Sequence, residues 1–302
     1  MYKFQNINKL TAIFLFIFAI NLHSANAQEI RILQGNDSIY NDKNQTCKFN
    51  HQAGKYLEID GANIYYEEIE NRGKPVLLFL HGGFGNIESF NDIIPLFCND
   101  FHIIGIDSRG HGKSTLGTDN LTYKRLQIDA EVIVNQLQVT NVNIIGYSDG
   151  GIVAYRIAAA NKILINKLIT IGATWSLQDA ATAEEIVADM TIANSKETFA
   201  EYYKYYQANN PNPEWDKFVK LCLEMWIDKT ESGYPYKNIR SINVPTLIIR
   251  GNNDKFLSLE SAVELSKKIE KSLLLNIPFA SHGAFKSHPQ IFEIIAKQFL
   301  NK

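Results

Sequence analysis

Gly146-Tyr147-Ser148-Asp149-Gly150 joins an apolar run, Val142-Asn143-Ile144-Ile145, to the helix-forming stretch Gly151-Ile152-Val153-Ala154-Tyr155-Arg156. A G-x-S-x-G pentapeptide is common by itself. Between a strand and a helix it constrains the fold tightly, because the serine must then stand on a sharp, strained turn at the top of a sheet. Glycines two residues before and two after the serine let strand and helix pass close together. The amide of the next residue, Asp149, is aimed at the place where the oxygen of a tetrahedral intermediate forms, which is what a serine nucleophile requires. The predicted fold class is α/β.

A serine hydroxyl is a weak nucleophile near neutral pH and needs a histidine base held by a carboxylate. On a strand–turn–helix site the chain order is serine, acid, histidine. Val244-Pro245-Thr246-Leu247-Ile248-Ile249-Arg250-Gly251 reads as a buried strand that ends in the turn Asn252-Asn253-Asp254. Asp254 therefore falls at a strand's C-terminal end, where ligand-facing groups gather in parallel sheets. Leu273-Leu274-Leu275-Asn276-Ile277 is a further short strand, and the loop after it carries His282. The predicted triad is Ser148, Asp254 and His282. Asp179, the other acid considered, sits several residues too far from the preceding strand.

A second oxyanion amide must come from the loop after an earlier strand. Lys74-Pro75-Val76-Leu77-Leu78-Phe79-Leu80 is that strand and His81-Gly82-Gly83-Phe84-Gly85-Asn86 is the loop. The amide of Gly83 is assigned to the oxyanion hole beside that of Asp149, with Phe84 as the neighbouring alternative. His81 is read as structural, holding the loop by hydrogen bonds.

These residues resemble the α/β-hydrolase superfamily, over nearly all the chain from about Gly54 onward. The resemblance implies a mostly parallel central sheet with helices on both faces and a helical lid. Asp107-Ser108-Arg109-Gly110-His111-Gly112-Lys113-Ser114 is similar to the family's turn after the fourth strand, where the arginine and histidine are structural. Ser148 separates the chain from the haloalkane dehalogenase and epoxide hydrolase branches, which place Asp at the elbow, and so implies an ester or amide acyl-enzyme. More narrowly, Gly146 to Gly151, Ile171-Gly172-Ala173 and Lys217 to Asp228 are similar to the valacyclovir hydrolase (biphenyl hydrolase-like) family. There the aspartate after the serine recognises the α-amino group of amino-acid esters, a role that maps onto Asp149. The chain departs from that family in having Gly83-Phe84 for larger aliphatic residues and Tyr147 for tryptophan. Phe84 is accordingly expected to shape the substrate pocket.

The residues themselves leave two readings of Asp149. A carboxylate beside the developing oxyanion opposes it by on the order of several kcal/mol at an effective dielectric near 20. A substrate with an ammonium group would bind the carboxylate and cancel that penalty. Alternatively, Asp149 serves the first turn of the elbow helix, where the helix dipole favours a carboxylate, or pairs with a nearby base.

The chain opens with Lys3 and Lys9, an apolar run from Leu10 to Ile20, and Ala25-Asn26-Ala27. That pattern predicts a secretory signal peptide over 1–27, cleaved before Gln28, and export to the periplasm or the exterior. The apolar run is shorter than the roughly 20 residues of a membrane span, and no other segment is apolar enough to cross a bilayer. About 275 of the 302 residues remain, enough for one large α/β domain. Loss of Lys3 and Lys9 moves the formal net charge from −2 to about −4, and the sequence shows no basic stripe suited to nucleic acid. Cys47, Cys98 and Cys222 are too few and scattered for a zinc site or a disulfide framework. They are read as buried or idle thiols, although one unspecified pair could oxidise after export.

Residues 28–53 have little periodicity and read as an ordered arm or a loose leader; the catalytic domain is expected over 54–302. Tyr56 to Ile59 and Ala62 to Glu67 look like an antiparallel pair about the Asp60-Gly61 turn, and strand–helix alternation follows. It stops between Thr174 and Asn243, a stretch of helical pattern rich in aromatics, expected to be a lid about 174–243 over the nucleophile. Its rings form a small core or an apolar wall for substrate.

The function expected is secreted hydrolysis of carboxylic esters by a Ser-His-Asp acyl-enzyme mechanism, with amino-acid or other cationic acyl groups as a narrower option. Proline-iminopeptidase-like release of N-terminal residues is one alternative, although that family's loop has proline where this chain has Phe84. Carbon–carbon bond hydrolysis is another. A ligand-binding protein on a hydrolase fold is the alternative of a different class. No metal or cofactor is indicated. The expected partner is a small-molecule substrate, and nothing in the sequence specifies an oligomeric state.

Overall fold

A computed structural model describes residues 47–178, 188 and 190–301. The predicted signal peptide, residues 28–46 of the leader, and Asp179 lie outside the described residues. Eight strands form one sheet: β1 (Lys55–Ile59), β2 (Ala62–Ile69), β3 (Val76–Leu80), β4 (His102–Ile106), β5 (Val142–Tyr147), β6 (Ile165–Ile171), β7 (Thr246–Gly251) and β8 (Ser272–Ile277). Their spatial order is β1-β2-β4-β3-β5-β6-β7-β8. The first two pairings, β1 with β2 and β2 with β4, are antiparallel; β4, β3 and all later strands run parallel. The β1–β2 hairpin closes on Asp60 and Gly61, both at positive φ (45° and 73°), as the right-handed twist of a two-residue hairpin demands.

The helices among the described residues are α1 (Tyr123–Gln136), α2 (Asp149–Ala160), α3 (Ile192–Thr198), α4 (Ala200–Asn209), α5 (Trp215–Trp226), α6 (Leu259–Lys268), α7 (Ala284–Ser287) and α8 (Pro289–Asn301). Thr122 caps α1 by accepting the Arg125 amide at 3.0 Å. Alternate residues of each strand face opposite sides of the sheet, and the parallel strands are apolar on both because both are covered. On one side Leu77, Phe79, Ile103, Ile145, Ile169 and Ile249 form a single core with Phe90, Phe97, Phe285 and Phe292. On the other, α1 and α2 pack over the sheet, and the Tyr155 hydroxyl meets that of Thr170 at 2.5 Å. Arg109 is fully buried, bonded through Nε and Nη2 to Asp129 and through Nη2 to the Ile59 carbonyl. Its role there is structural.

One sequence expectation is corrected here. The described residues from Cys47 onward cluster as one compact unit. Cys47 is joined to Cys98 in a disulfide, so these two are not idle thiols, and Phe49 and His51 are buried against the sheet. Segment 47–53 has no strand or helix periodicity because single side chains hold it, each making its own contact. Cys222, in α5, is a free, buried thiol.

Between β6 and β7 lies the insertion that carries α3, α4 and α5. Thr191 and Asn194 form a reciprocal capping box at the start of α3. Most of the insertion's rings form its own core: Tyr206 stacks on Phe218 with ring centres 4.9 Å apart, and Trp215 packs against both.

Candidate active site

The elbow serine carries the strain its position requires. Ser148, at the junction of β5 and α2, has φ 52° and ψ −121°, a region that a non-glycine residue occupies only when its surroundings enforce it. The enforcement comes from close approach on either side. A Cβ on Gly146 would stand 2.5 Å from the Gly150 carbonyl oxygen, so any larger residue would push strand and helix apart.

Two side chains from two other loops line up on that serine. Its Oγ lies 3.0 Å from His282 Nε2, and His282 Nδ1 lies 3.0 and 3.1 Å from the two oxygens of Asp254. With Nδ1 bonded to a carboxylate, the proton of the neutral ring resides on Nδ1 and Nε2 is free to accept from serine. Asp254 Oδ1 also accepts the amides of Phe256 and Leu257, at 2.9 and 3.2 Å. Burial opposes the charge on Asp254. The His282 ring and these amides outweigh it and hold the carboxyl below the usual carboxylate range. The imidazole is itself held between the rings of Tyr147 and Phe256, whose centres are 5.2 and 4.5 Å away.

The glycine loop after β3 lies against the elbow. A Cβ on Gly82 would stand 3.0 Å from Ser148 Cβ, and one on Gly83 would stand 2.7 Å from Asp149 Oδ2 and 2.9 Å from Trp226 Cζ2. His81 holds this loop. Its Nε2 accepts the Ser108 amide at 2.9 Å, so Nδ1 carries the proton and donates to the Gly82 carbonyl at 2.8 Å. Burial favours this neutral form and lowers the pKa of His81. His111, with its ring centre 5.1 Å from that of His81, is pushed down to about 3 chiefly by burial. Neither ring is arranged as a base.

Asp149 and Phe84 stand in surroundings the sequence did not reveal. Asp149 is buried, and its two oxygens accept the Tyr123 hydroxyl and the Trp226 indole N–H, each at 2.8 Å. The nearby base that was one sequence alternative is not what pairs with it. Two neutral donors do, one from α1 and one from the end of α5, tying the elbow to the insertion. Burial raises the Asp149 pKa against the pull of these donors. Phe84, at φ 57°, sends its ring among Phe199, Trp215, Phe218 and Trp226, with centres 4.9–5.6 Å away. The insertion thus grips the glycine loop after β3 as well as the elbow. Tyr123 and Trp226 escaped sequence reasoning as site residues because each sits on an amphipathic helix, where a ring is ordinarily core.

A serine after β5, an acid after β7 and a histidine after β8, joined by these hydrogen bonds, can take a proton from the serine and return it to a leaving group. Residues 75–223 match the family described as alpha/beta hydrolase fold. The chain belongs to the α/β-hydrolase superfamily. This α/β-hydrolase is 27% identical over 267 residues to the AB hydrolase superfamily protein YisY of Bacillus subtilis, covering 82% of this chain and 99% of YisY. It is 24% identical over 277 residues to a 2-hydroxy-6-oxo-6-(2'-aminophenyl)hexa-2,4-dienoic acid hydrolase of Metapseudomonas resinovorans, covering 82% and 91% of the two chains. The crystal structure of a hydrolase from Pseudomonas aeruginosa superposes with a TM-score of 0.68 at 22% identity, over 84% of this chain and all of that one. The family places the protein among hydrolytic enzymes. Among the described residues no group of His, Cys, Asp and Glu side chains is arranged to hold a metal ion, and no helix is long and apolar enough to cross a membrane.

Proposed function

We propose that this α/β-hydrolase is an exported serine hydrolase of carboxylic esters. The observation that carries the reading is the unbroken chain Asp254–His282–Ser148, with each link near 3.0 Å and the serine in the strained elbow conformation. In the mechanism it supports, His282 Nε2 takes the Ser148 Oγ proton as the oxygen attacks the ester carbonyl. The amides of Gly83 and Asp149 receive the oxyanion. His282 then gives the proton to the departing alcohol, and water repeats the sequence to release the acid. Asp254 keeps the ring oriented and stabilises the imidazolium throughout. The insertion acts as a lid, gripping the elbow through Trp226 and the oxyanion loop through Phe84. The Cys47–Cys98 disulfide supports export, since such bonds persist in oxidising compartments.

A cationic acyl group remains the narrower proposal for Asp149. In its favour, this buried carboxylate has only neutral donors on its oxygens among the described residues. Carbon–carbon bond hydrolysis is the second reading, favoured by the likeness to the dienoic acid hydrolase.

Two experiments test these proposals. The first incubates purified protein and Ser148→Ala with a fluorophosphonate probe, then with p-nitrophenyl esters, aminoacyl esters, a prolyl amide and a 2-hydroxy-6-oxodienoate. Labelling and ester turnover that both vanish in Ser148→Ala support the ester reading. Turnover confined to the dienoate or the amide replaces it with one of the alternatives. Absence of labelling would point to a binding protein. The second is mass spectrometry of the secreted chain, which should find Gln28 at its start; an intact residue 1 there overturns the signal peptide.

A further inference from the structure

Ahead of β1, segment 47–51 is tied down at every second residue. Cys47 is bonded to Cys98. Phe49 exchanges backbone hydrogen bonds with the Asn91 side chain, at 3.0 and 2.9 Å. The His51 carbonyl accepts from Lys113 Nζ. His51 itself is buried at φ 53°, a left-handed conformation that persists only where the surroundings over-determine it.

What surrounds the ring is a set of charged groups outside the triad. His51 Nε2 lies 2.7 Å from Asp107 Oδ2. Its Nδ1 lies 2.5 Å from the Tyr205 hydroxyl of α4 and 3.4 Å from Glu88 Oε1. Tyr205 in turn donates to Glu88 Oε2 at 2.9 Å. Tyr65 packs its ring 5.3 Å away and donates to Glu67 at 2.6 Å, and Lys113 completes the group. His81 lies close enough that the two imidazoles oppose each other's charge. Burial works against a charged His51, but the two facing carboxylates prevail and raise it to about 9. Glu88 is lowered in turn, first by its bond to His51.

The directions of these bonds require the charged ring. As an imidazolium, His51 donates from both nitrogens, to Asp107 and to the Tyr205 oxygen, which leaves the Tyr205 proton for Glu88. A neutral ring has one N–H. If it keeps Asp107, the Tyr205 hydroxyl must turn to donate to Nδ1 and let Glu88 go. Asp107 and Glu88 both hold the segment that begins with Gly83. Asp107 Oδ1 accepts the Ile87 amide at 2.9 Å, and Glu88 lies within the turn Ile87–Phe90.

The geometry points to His51 as a positioning residue for the reaction at Ser148: anchored by the Cys47–Cys98 bond, its imidazolium braces the oxyanion loop against insertion helix α4. This rests on the serine-hydrolase reading above. The sign of the pH effect follows from the raised pKa. The brace is complete below the ordinary histidine value, near 6.5, and is lost as pH rises through about 9.

The test uses the full-length secreted protein with p-nitrophenyl butyrate from pH 6 to 10, corrected for spontaneous hydrolysis, together with the rate of fluorophosphonate labelling. His51→Gln is expected to lower kcat at pH 7 on the order of tenfold, the scale on which small misplacements act, with KM little changed. It should also abolish the decline that wild type shows around pH 9. Tyr205→Phe, which removes only a hydroxyl, should lower kcat less and weaken the same decline. Reduction and alkylation of wild type should lower kcat and leave His51→Gln unaffected. If His51→Gln does not fold, Tyr205→Phe and the reduced protein decide. Wild-type kcat and an unchanged alkaline decline in the folded variants overturn the proposal. A wild type inert to both ester and probe overturns the hydrolase reading instead, and this inference with it.

Discussion

Replacing Asp149 by alanine examines in one variant what ties the elbow to the insertion and what the substrate carries. Alanine leaves the Tyr123 hydroxyl and the Trp226 N–H, each 2.8 Å from a carboxylate oxygen in the wild type, buried without that partner. Each orphaned donor costs about 1–3 kcal/mol. Removal of a carboxylate whose ionisation burial opposes returns part of this. A net loss of about 2–4 kcal/mol is expected, which lowers Tm by roughly 4–16 °C at about 2–4 °C per kcal/mol. The kinetic consequence depends on the substrate. A charge roughly 6 Å from the oxyanion opposes it by about 3 kcal/mol at an effective dielectric of about 20. On a neutral p-nitrophenyl ester the variant should therefore hold its kcat or gain, with a ceiling of about a hundredfold. On an aminoacyl ester of equal size, loss of a charge-assisted hydrogen bond to the ammonium should cost about 10- to 150-fold. Alanine keeps the residue's backbone amide, so the amide proposed for the oxyanion hole survives in both assays. The measurements are calorimetric unfolding and kcat/KM on the two esters. An unchanged Tm refutes the tie through Tyr123 and Trp226. Equal losses on both esters refute the ammonium and leave Asp149 a structural support.

Asp254→Asn should keep the geometry and leave His282 in the wrong tautomer, with kcat down by about ten-thousandfold. His288, between α7 and α8, bonds through its ring to the neighbouring Ser287, so His288→Ala should retain near wild-type turnover. Gly83→Ala places a methyl 2.7 Å from Asp149 Oδ2 and 2.9 Å from the Trp226 ring; overpacking of about 1–3 kcal/mol should appear as a lower Tm together with reduced kcat. The lowered pKa of Asp254 contributes stability above the ordinary carboxyl value, near pH 4, which is lost as pH falls through the lowered one. Melting temperature followed from pH 6 to 2.5 should accordingly drop more steeply in wild type than in Asp254→Asn, and parallel curves would refute that contribution.

What the sequence alone determined is what local pattern and chain order can encode. Ser148 between a strand and a helix, Asp254 after a buried strand and His282 after the next one name an architecture, because each residue's place relative to a strand end is a local property. The Asp60-Gly61 hairpin and the apolar parallel strands were legible for the same reason: turn chemistry and burial on both faces leave marks within a few residues. Tertiary structure alone decided which partners meet across long separations. Cys47 joins Cys98, His51 reaches Asp107 and Tyr205, and Trp226 donates to Asp149 over 77 residues. None of these pairs has a periodic signature, since a side chain that makes one distant hydrogen bond looks in sequence like any residue of a loop or a helix core. Whether a carboxylate beside the nucleophile faces a cation, a base or two neutral donors is set by how the insertion folds back over the sheet, and only packing decides that.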